Sequence, residues 1–421
     1  MEAKMLSFAQ KLQNYADLIV KVGVGLQPGQ RLILRTPVEA APLARLIAAS
    51  AYKTGARYVE AMWHDDAVTL TRFQHAPRDS FEEFPSWRTD VLAQAAENGD
   101  ATLTIYSFDP DLLADQDPDL IAVTQRVTDE HMLPFRHKLM ADEVNWCLIS
   151  LPIPSWAAKI FPNDPPETQM EKLWDIVFKM VRADQPDPIA AWQQHLANLR
   201  ARQTYLNAKQ YTALNYTAPG TNLTVGLPDN HLWKGGQHTT HNAAKIPFVA
   251  NIPTEEVYTM PHKDKTNGVV TATKPLSYGG GSGGGLLIED FTLTFENGRV
   301  VNATAKKGED TLKKMLDTDA GARQLGEVAL VPYSSPISAA GIMFYNTLFD
   351  ENAASHLALG RAYRFTMKNG AAMTPEEFAA AGGNFSLIHT DFMIGSPEMD
   401  IDGITRDGTS EPVMRNGEWA F

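Results

Sequence analysis

The chain has 421 residues, 44% hydrophobic and 21% charged, which is enough for about two or three soluble domains with a sizeable core. Its formal net charge of −13 argues against a nucleic-acid footprint or docking on anionic lipid, both of which need a basic face. The one cysteine, Cys147, rules out an intrachain disulfide and a cysteine zinc site, and its apolar surroundings (VNWCLISL) mark it as a small buried residue.

The opening segment places Leu6, Leu12, Tyr15, Ile19 and Val22 on one face of an amphipathic helix. It has no basic region followed by a continuous apolar core, and no apolar run is long enough to span a bilayer, so a cytoplasmic protein is expected. Residues 27–30 (QPGQ) form a turn and Arg31–Thr36 an apolar strand. Pro42 sits in the first turn of a helix running through Leu43, Leu46, Ile47 and Ala51, which Gly55 ends. Further strands are expected at Ala56–Trp63, Ala101–Ser107 and Val144–Pro152, with helical stretches between them, the last from about Pro118 to Asp142. This alternation predicts a parallel sheet covered on both faces. The turn after the first strand, RTPVEAAPLARL, holds no glycine, so the dinucleotide-binding fingerprint is missing. A docking or dimerising role is expected for this half.

A helical bridge follows, with Met170, Leu173, Val177, Met180 and Val181 on one face and a break at Pro186 and Pro188. From about Tyr211, alternating residues with Gly and Pro turns predict antiparallel strands. Asn297-Gly298 is the two-residue turn of a hairpin, and residues 308–319 are a short helix. Residues 326–331 and 384–395 are strand-like, and the tail is a meander turning at Asp402-Gly403, Asp407-Gly408 and Asn416-Gly417. The expected architecture is an α/β N-terminal domain with a parallel sheet, residues 1–190. An α+β C-terminal domain with mainly antiparallel strands, residues 191–421, carries the functional residues.

Those residues gather late in the chain. On a strand, alternate side chains share a face, so His389 and Asp391 in LIHTDFMIG present an imidazole and a carboxylate to one point. A surface pair or a simple His–carboxylate hydrogen bond would show the same spacing. The segment Glu351–Gly360 reads as a short helix capped by Gly360, carrying His356 with Glu351 about one turn back, and Tyr363 follows the cap. PTEEVYT holds Glu255 and Glu256, which face opposite ways if extended, so one of them joins a shared site. Glu327 opens an apolar strand, where a carboxylate is costly unless paired, hydrogen-bonded or bound to metal. Carboxylates and imidazoles without a thiolate suit zinc, cobalt or manganese.

NIPTEEVYTMP, ARQLGEVALV, FYNTLFDENAASHLALGRAY and LIHTDFMIGS resemble, in order, the motifs of the M29 peptidases, the thermophilic-type metallo-aminopeptidases related to aminopeptidase T. QPGQRLILRT and the α/β first half are similar too. The resemblance implies two co-catalytic divalent ions held by Glu256, Glu327, His356, Tyr363, His389 and Asp391. It implies that Glu327 bridges the ions, that Tyr363 binds metal or donates to the oxyanion, and that Glu255 is a candidate general base. It further implies peptide substrates with a free N-terminus and a homodimer. A metal-dependent hydrolase of other small amides or esters is the competing reading, and a binding protein with a structural metal is a third.

Other motifs are read as scaffold. The run GGGSGGG, Gly279–Gly285, lacks the Lys-Ser/Thr ending of a phosphate loop and is expected to be a loop near the site. His238 and His241 are expected in a loop, His262 at the surface, and His64 with Asp65 and Asp66 in a solvated turn.

Overall fold

The structure, a computed structural model, describes residues 6–278 and 286–421, so the glycine-rich run Gly279–Gly285 lies outside the described residues. The chain divides into two compact units. One holds residues 6–196 together with Gln237–Pro253; the other holds Ala197–Gly236, 254–278 and Leu286–Phe421.

The first unit is built as its alternating sequence requires. Strands β1 (Arg31–Pro37), β2 (Tyr58–His64), β3 (Ala101–Ile105) and β4 (Trp146–Ile149) form a parallel sheet in the order β2-β1-β3-β4. A fifth strand, Asn251–Ile252, adds in parallel beside β4. Helices cover both faces because alternate residues of β1 are apolar on both sides. On one side Ile33 packs with Leu92, Ala95 and Ala96 of helix Trp87–Glu97 and with Met132 and Phe135 of helix Pro118–Met140. Leu32 and Leu34 are fully buried on the other. Cys147 is buried in β4, and burial pushes its thiol well up, so it is inert.

The second unit is sheet-rich and antiparallel. A nine-stranded sheet includes the hairpin Leu286–Glu296 to Arg299–Lys307, which turns at Asn297 and Gly298 with φ of 48° and 83°. Helix Glu309–Leu316 packs on that hairpin. The tail forms strands Asp400–Ile404, Ser410–Arg415 and Glu418–Trp419. Turns fall at Gly408 and at Asn416-Gly417 as expected, but Asp402-Gly403 lies inside a strand. Gly403 there presses against the Tyr211 ring, which a Cβ would meet at 2.6 Å, so the glycine serves packing and not a turn.

A separate four-stranded antiparallel sheet positions the site. Its order is Val257–Thr259, Leu325–Leu330, His356–Gly360, His389–Met393. The expected helix at Glu351–Gly360 is corrected here: only Glu351–Ala353 form a 3₁₀ turn, and His356–Gly360 is a strand with every residue buried. A strand buried on both faces has no alternation to announce it, and its Ala and Leu content favours a helical reading.

Candidate metal centre

Three strands of this sheet, and the segment leading into the fourth, deliver donors to one place. Glu327 and Asp391 are both register partners of Ala358 on the strand between them. His356 lies two residues before Ala358, and His389 is opposite Gly360, two residues after it. The middle strand therefore offers only a methyl group and a glycine beneath the flanking carboxylates, which leaves room above them.

Glu327 is aimed by a local irregularity. The ladder shifts between Leu325 and Glu327, with Gly326 in the bulge. A Cβ at Gly326 would stand 2.4 Å from the carbonyl oxygens of both Gly360 and Arg361, so only glycine permits this approach. Glu256 arrives from the segment leading into Val257–Thr259.

The donors form two triads, Glu256–Glu327–His356 and Glu327–His389–Asp391, whose ligand atoms lie within 4.8 Å of one another in each group. Glu256 Oε2 is 3.3 Å and Glu327 Oε1 3.7 Å from His356 Nε2. Glu327 Oε2 is 3.9 Å and Asp391 Oδ1 3.4 Å from His389 Nε2. Glu327 thus gives one oxygen to each side. Both imidazoles are oriented through their other nitrogen: His356 Nδ1 donates to the Ala354 carbonyl at 3.1 Å and His389 Nδ1 to the Arg361 carbonyl at 2.7 Å. A carbonyl can only accept, so each Nε2 is left to face the carboxylates as a potential ligand.

Electrostatics mark the place as built for a cation. Burial pushes the Glu327 carboxyl up to about 7, although the two histidines oppose it. Burial also lowers the His389 pKa, but Asp391 and Glu327 override it and hold the imidazole at about 9. Burial works against the His356 imidazolium too, yet Glu256 and Glu327 raise its pKa well above the ordinary value. Asp391 Oδ1 is buried without a hydrogen bond. Among the described residues, the ion pairs of Glu256, Glu327 and Asp391 are all with these two histidines. A divalent ion fits such a set, since it replaces the protons and offsets the mutual repulsion of the acids.

Tyr363 also reaches this cluster. Its ring lies 4.6 Å from that of His389 and stacks on Phe365. Burial, then Glu327 and Asp391, keep its hydroxyl protonated. Glu255 is buried but belongs to neither triad; its backbone N–H donates to Asn352 Oδ1 at 2.7 Å. Sequence reasoning passed over Glu351 as a mere helix member. Its carboxyl is raised well above the ordinary value, first by burial and then by Glu256 and Asp391, which places it among the site acids. The signal available in the sequence was its place five residues before His356, in the same motif. The remaining histidines lie elsewhere. His238 pairs with Asp142 at 3.1 Å, His262 packs its ring against Gly382, and Asp65 next to His64 caps helix Asp66–His75.

A buried and a partly buried O/N triad sharing a carboxylate are the equipment of a metal-dependent hydrolase. The chain matches the family model described as thermophilic metalloprotease (M29) over residues 8–419, and it belongs to that family. Aminopeptidase 2 of Geobacillus stearothermophilus is 50% identical over 417 residues, 99% of each chain. Aminopeptidase T of Thermus thermophilus is 40% identical over 415 residues, 99% of this chain and 100% of that one. The solved structure of wild-type AmpT from Thermus thermophilus matches with a TM-score of 0.92 and 39% identity, covering 99% of this chain and 100% of that one. The protein is a metalloprotease, as the four motifs implied.

Proposed function

We propose that the protein is an aminopeptidase that uses two divalent ions to release N-terminal residues from peptides. The observation that carries the two-ion reading is the membership of Glu327 in both triads. Glu256 and His356 would hold one ion and His389 and Asp391 the other, with Glu327 available to both and Tyr363 at the edge of the site. Zinc, cobalt and manganese all suit this donor set. Bound there, the ions supply Lewis acidity to the scissile carbonyl and to the attacking water.

The protein's own groups do the rest. Glu255, outside both triads, accepts the proton of the attacking water. The Tyr363 hydroxyl, kept protonated by its surroundings, donates to the developing oxyanion. Glu351 is one acid more than the triads require; burial and its acidic neighbours favour its protonated form, and the α-ammonium of a free N-terminus would draw it into its charged form. In this reading residues 1–190 serve as scaffold and residues 191–421 carry catalysis. A homodimer follows from the family resemblance, and a single buried cysteine fits a reducing, cytoplasmic compartment.

Hydrolysis of an unblocked leucyl anilide, before and after chelation, tests this. Activity is expected to vanish on chelation and return with one of the three metals, while the N-acetylated anilide is not cleaved. Cleavage of the acetylated compound at a similar rate would point to a general amidase.

A further inference from the structure

The first unit carries a feature the peptidase chemistry does not use. Arg35 is half-buried near the carboxyl end of β1. Its register partners are Met62 on β2 and Thr104 on β3, and it shares a face with Ile33, beneath helices Trp87–Glu97 and Pro118–Met140. Among the described residues its guanidinium makes no hydrogen bond, ion pair or ring contact. What surrounds it is further positive charge. Arg88 lies one helical turn before Leu92, which packs on Ile33, and Arg136 follows Phe135 of the same cluster. His64 ends β2 opposite Pro37, on the same face as Arg35. Burial and then Arg136 and Arg88 depress the Arg35 pKa; burial followed by Arg35 and Arg88 depresses that of His64, opposed by Asp65.

An arginine stays charged at any ordinary pH, so it must be satisfied by a partner or by water. None of the neighbouring carboxylates pairs with it: Glu60, on the same face of β2, accepts from the Tyr58 hydroxyl at 2.8 Å. Asp65 caps helix Asp66–His75 through Ala67 N and Val68 N, Asp66 accepts from Asp109 N at 2.9 Å, and Asp129 pairs with Arg136 at 2.6 Å. The position in the fold is also telling. The strand order β2-β1-β3-β4 reverses between β1 and β3, and doubly wound sheets bind ligands outside the carboxyl ends of their strands at such a reversal.

We propose that Arg35, with Arg88 and His64, forms a binding site for a small dianionic oxyanion, either inorganic phosphate or the phosphate group of a small metabolite. The planar guanidinium fork matches two oxygens of such a group, and several basic groups around one point favour a dianion over a single carboxylate. The site is distinct from the metal centre, whose residues all belong to the second unit.

The test is a titration of the full-length metal-loaded enzyme with inorganic phosphate, followed by ³¹P line broadening at constant ionic strength, with acetate as competitor. Saturable binding is expected in the wild type, weakened at least tenfold in both R35Q and R88Q, with anilide hydrolysis unchanged and acetate a poor competitor. Phosphate bound at the metal centre would titrate equally in all three proteins, which would overturn the proposal, as would the lack of saturable binding in the wild type. If R35Q lowers the mass measured by sedimentation, Arg35 is satisfied by a carboxylate of a second copy and the proposal fails. Should R35Q not fold, R88Q and R35K decide: the latter keeps the charge without the fork and is expected to bind phosphate more weakly.

Discussion

His389 donates its Nδ1 proton to the Arg361 carbonyl at 2.7 Å, which turns Nε2 toward Asp391 Oδ1 at 3.4 Å. In the metal-free protein that Nε2 keeps a proton up to about pH 9, because the charges of Asp391 and Glu327 outweigh burial. Glu327 likewise keeps its proton up to about 7 instead of the ordinary 4.5, through burial. Both folded-state values are raised, so the folded apoprotein holds more protons than the unfolded chain. The stability these two groups contribute is greatest below their unfolded values and falls as pH rises from about 5 through 9. Thermal melts of chelated protein are expected to show a midpoint that drops across this window, with added zinc giving more protection at pH 9 than at pH 6. Zinc binding should also release protons, read as an enthalpy that changes with the buffer in calorimetry. A buffer-independent enthalpy would mean that the imidazoles are already neutral.

Asn352, wholly buried, ties two site segments together. It accepts from the Glu255 N–H and donates to the Leu348 carbonyl at 3.1 Å. Asn352→Ala leaves a buried N–H without its partner, at a cost of about 1–3 kcal/mol. Metal affinity is expected to fall about 10–100-fold, as when a group that positions ligands is lost. Chelator competition and a denaturant titration measure the two effects separately.

Glu255 and Glu256 are adjacent yet expected to fail differently. Glu256→Gln should remove metal from the His356 side and abolish activity with it. Glu255→Gln should retain full metal content and lose about 10²–10⁴ in kcat, the usual contribution of a general base. Elemental analysis of the two purified variants distinguishes them, and equal metal loss in both would remove Glu255 from the catalytic role.

Ala358 is the floor between Glu327 and Asp391. Enlarging it to valine overpacks that space at a cost of about 1–3 kcal/mol. The fold is expected to persist by circular dichroism while metal content and activity fall together. Retained metal would show that the ions sit higher above the sheet than the register indicates.

Much of this was readable in the sequence, for reasons that differ by element. Strands β1 to β4 announce themselves because each is an apolar run bounded by helices and turns. Asn297-Gly298 does so because few dipeptides accept positive φ at both positions. His389 and Asp391 were legible because side chains two apart on a strand share a face. The His356 strand was not, since burial of every residue erases that alternation. Nor was the fifth strand of the first sheet, because Asn251–Ile252 is only two residues long and joins a sheet formed far earlier in the chain. Glu351 escaped because its closeness to Glu256 and Asp391 exists only after folding.

The donors line up in the order of the strands across the four-stranded sheet, from the Glu256 approach through Glu327 and His356 to His389 and Asp391. Four of the five are fixed by their own short stretch of ladder, and Glu256 sits one residue before the strand Val257–Thr259. Apart from Glu351, Asn352 and Tyr363, which flank the His356 strand, the intervening segments are spacers whose lengths can change without moving a donor. A pattern meant to find such a centre in other genomes is best written as four short words in a fixed order, with unconstrained gaps between them.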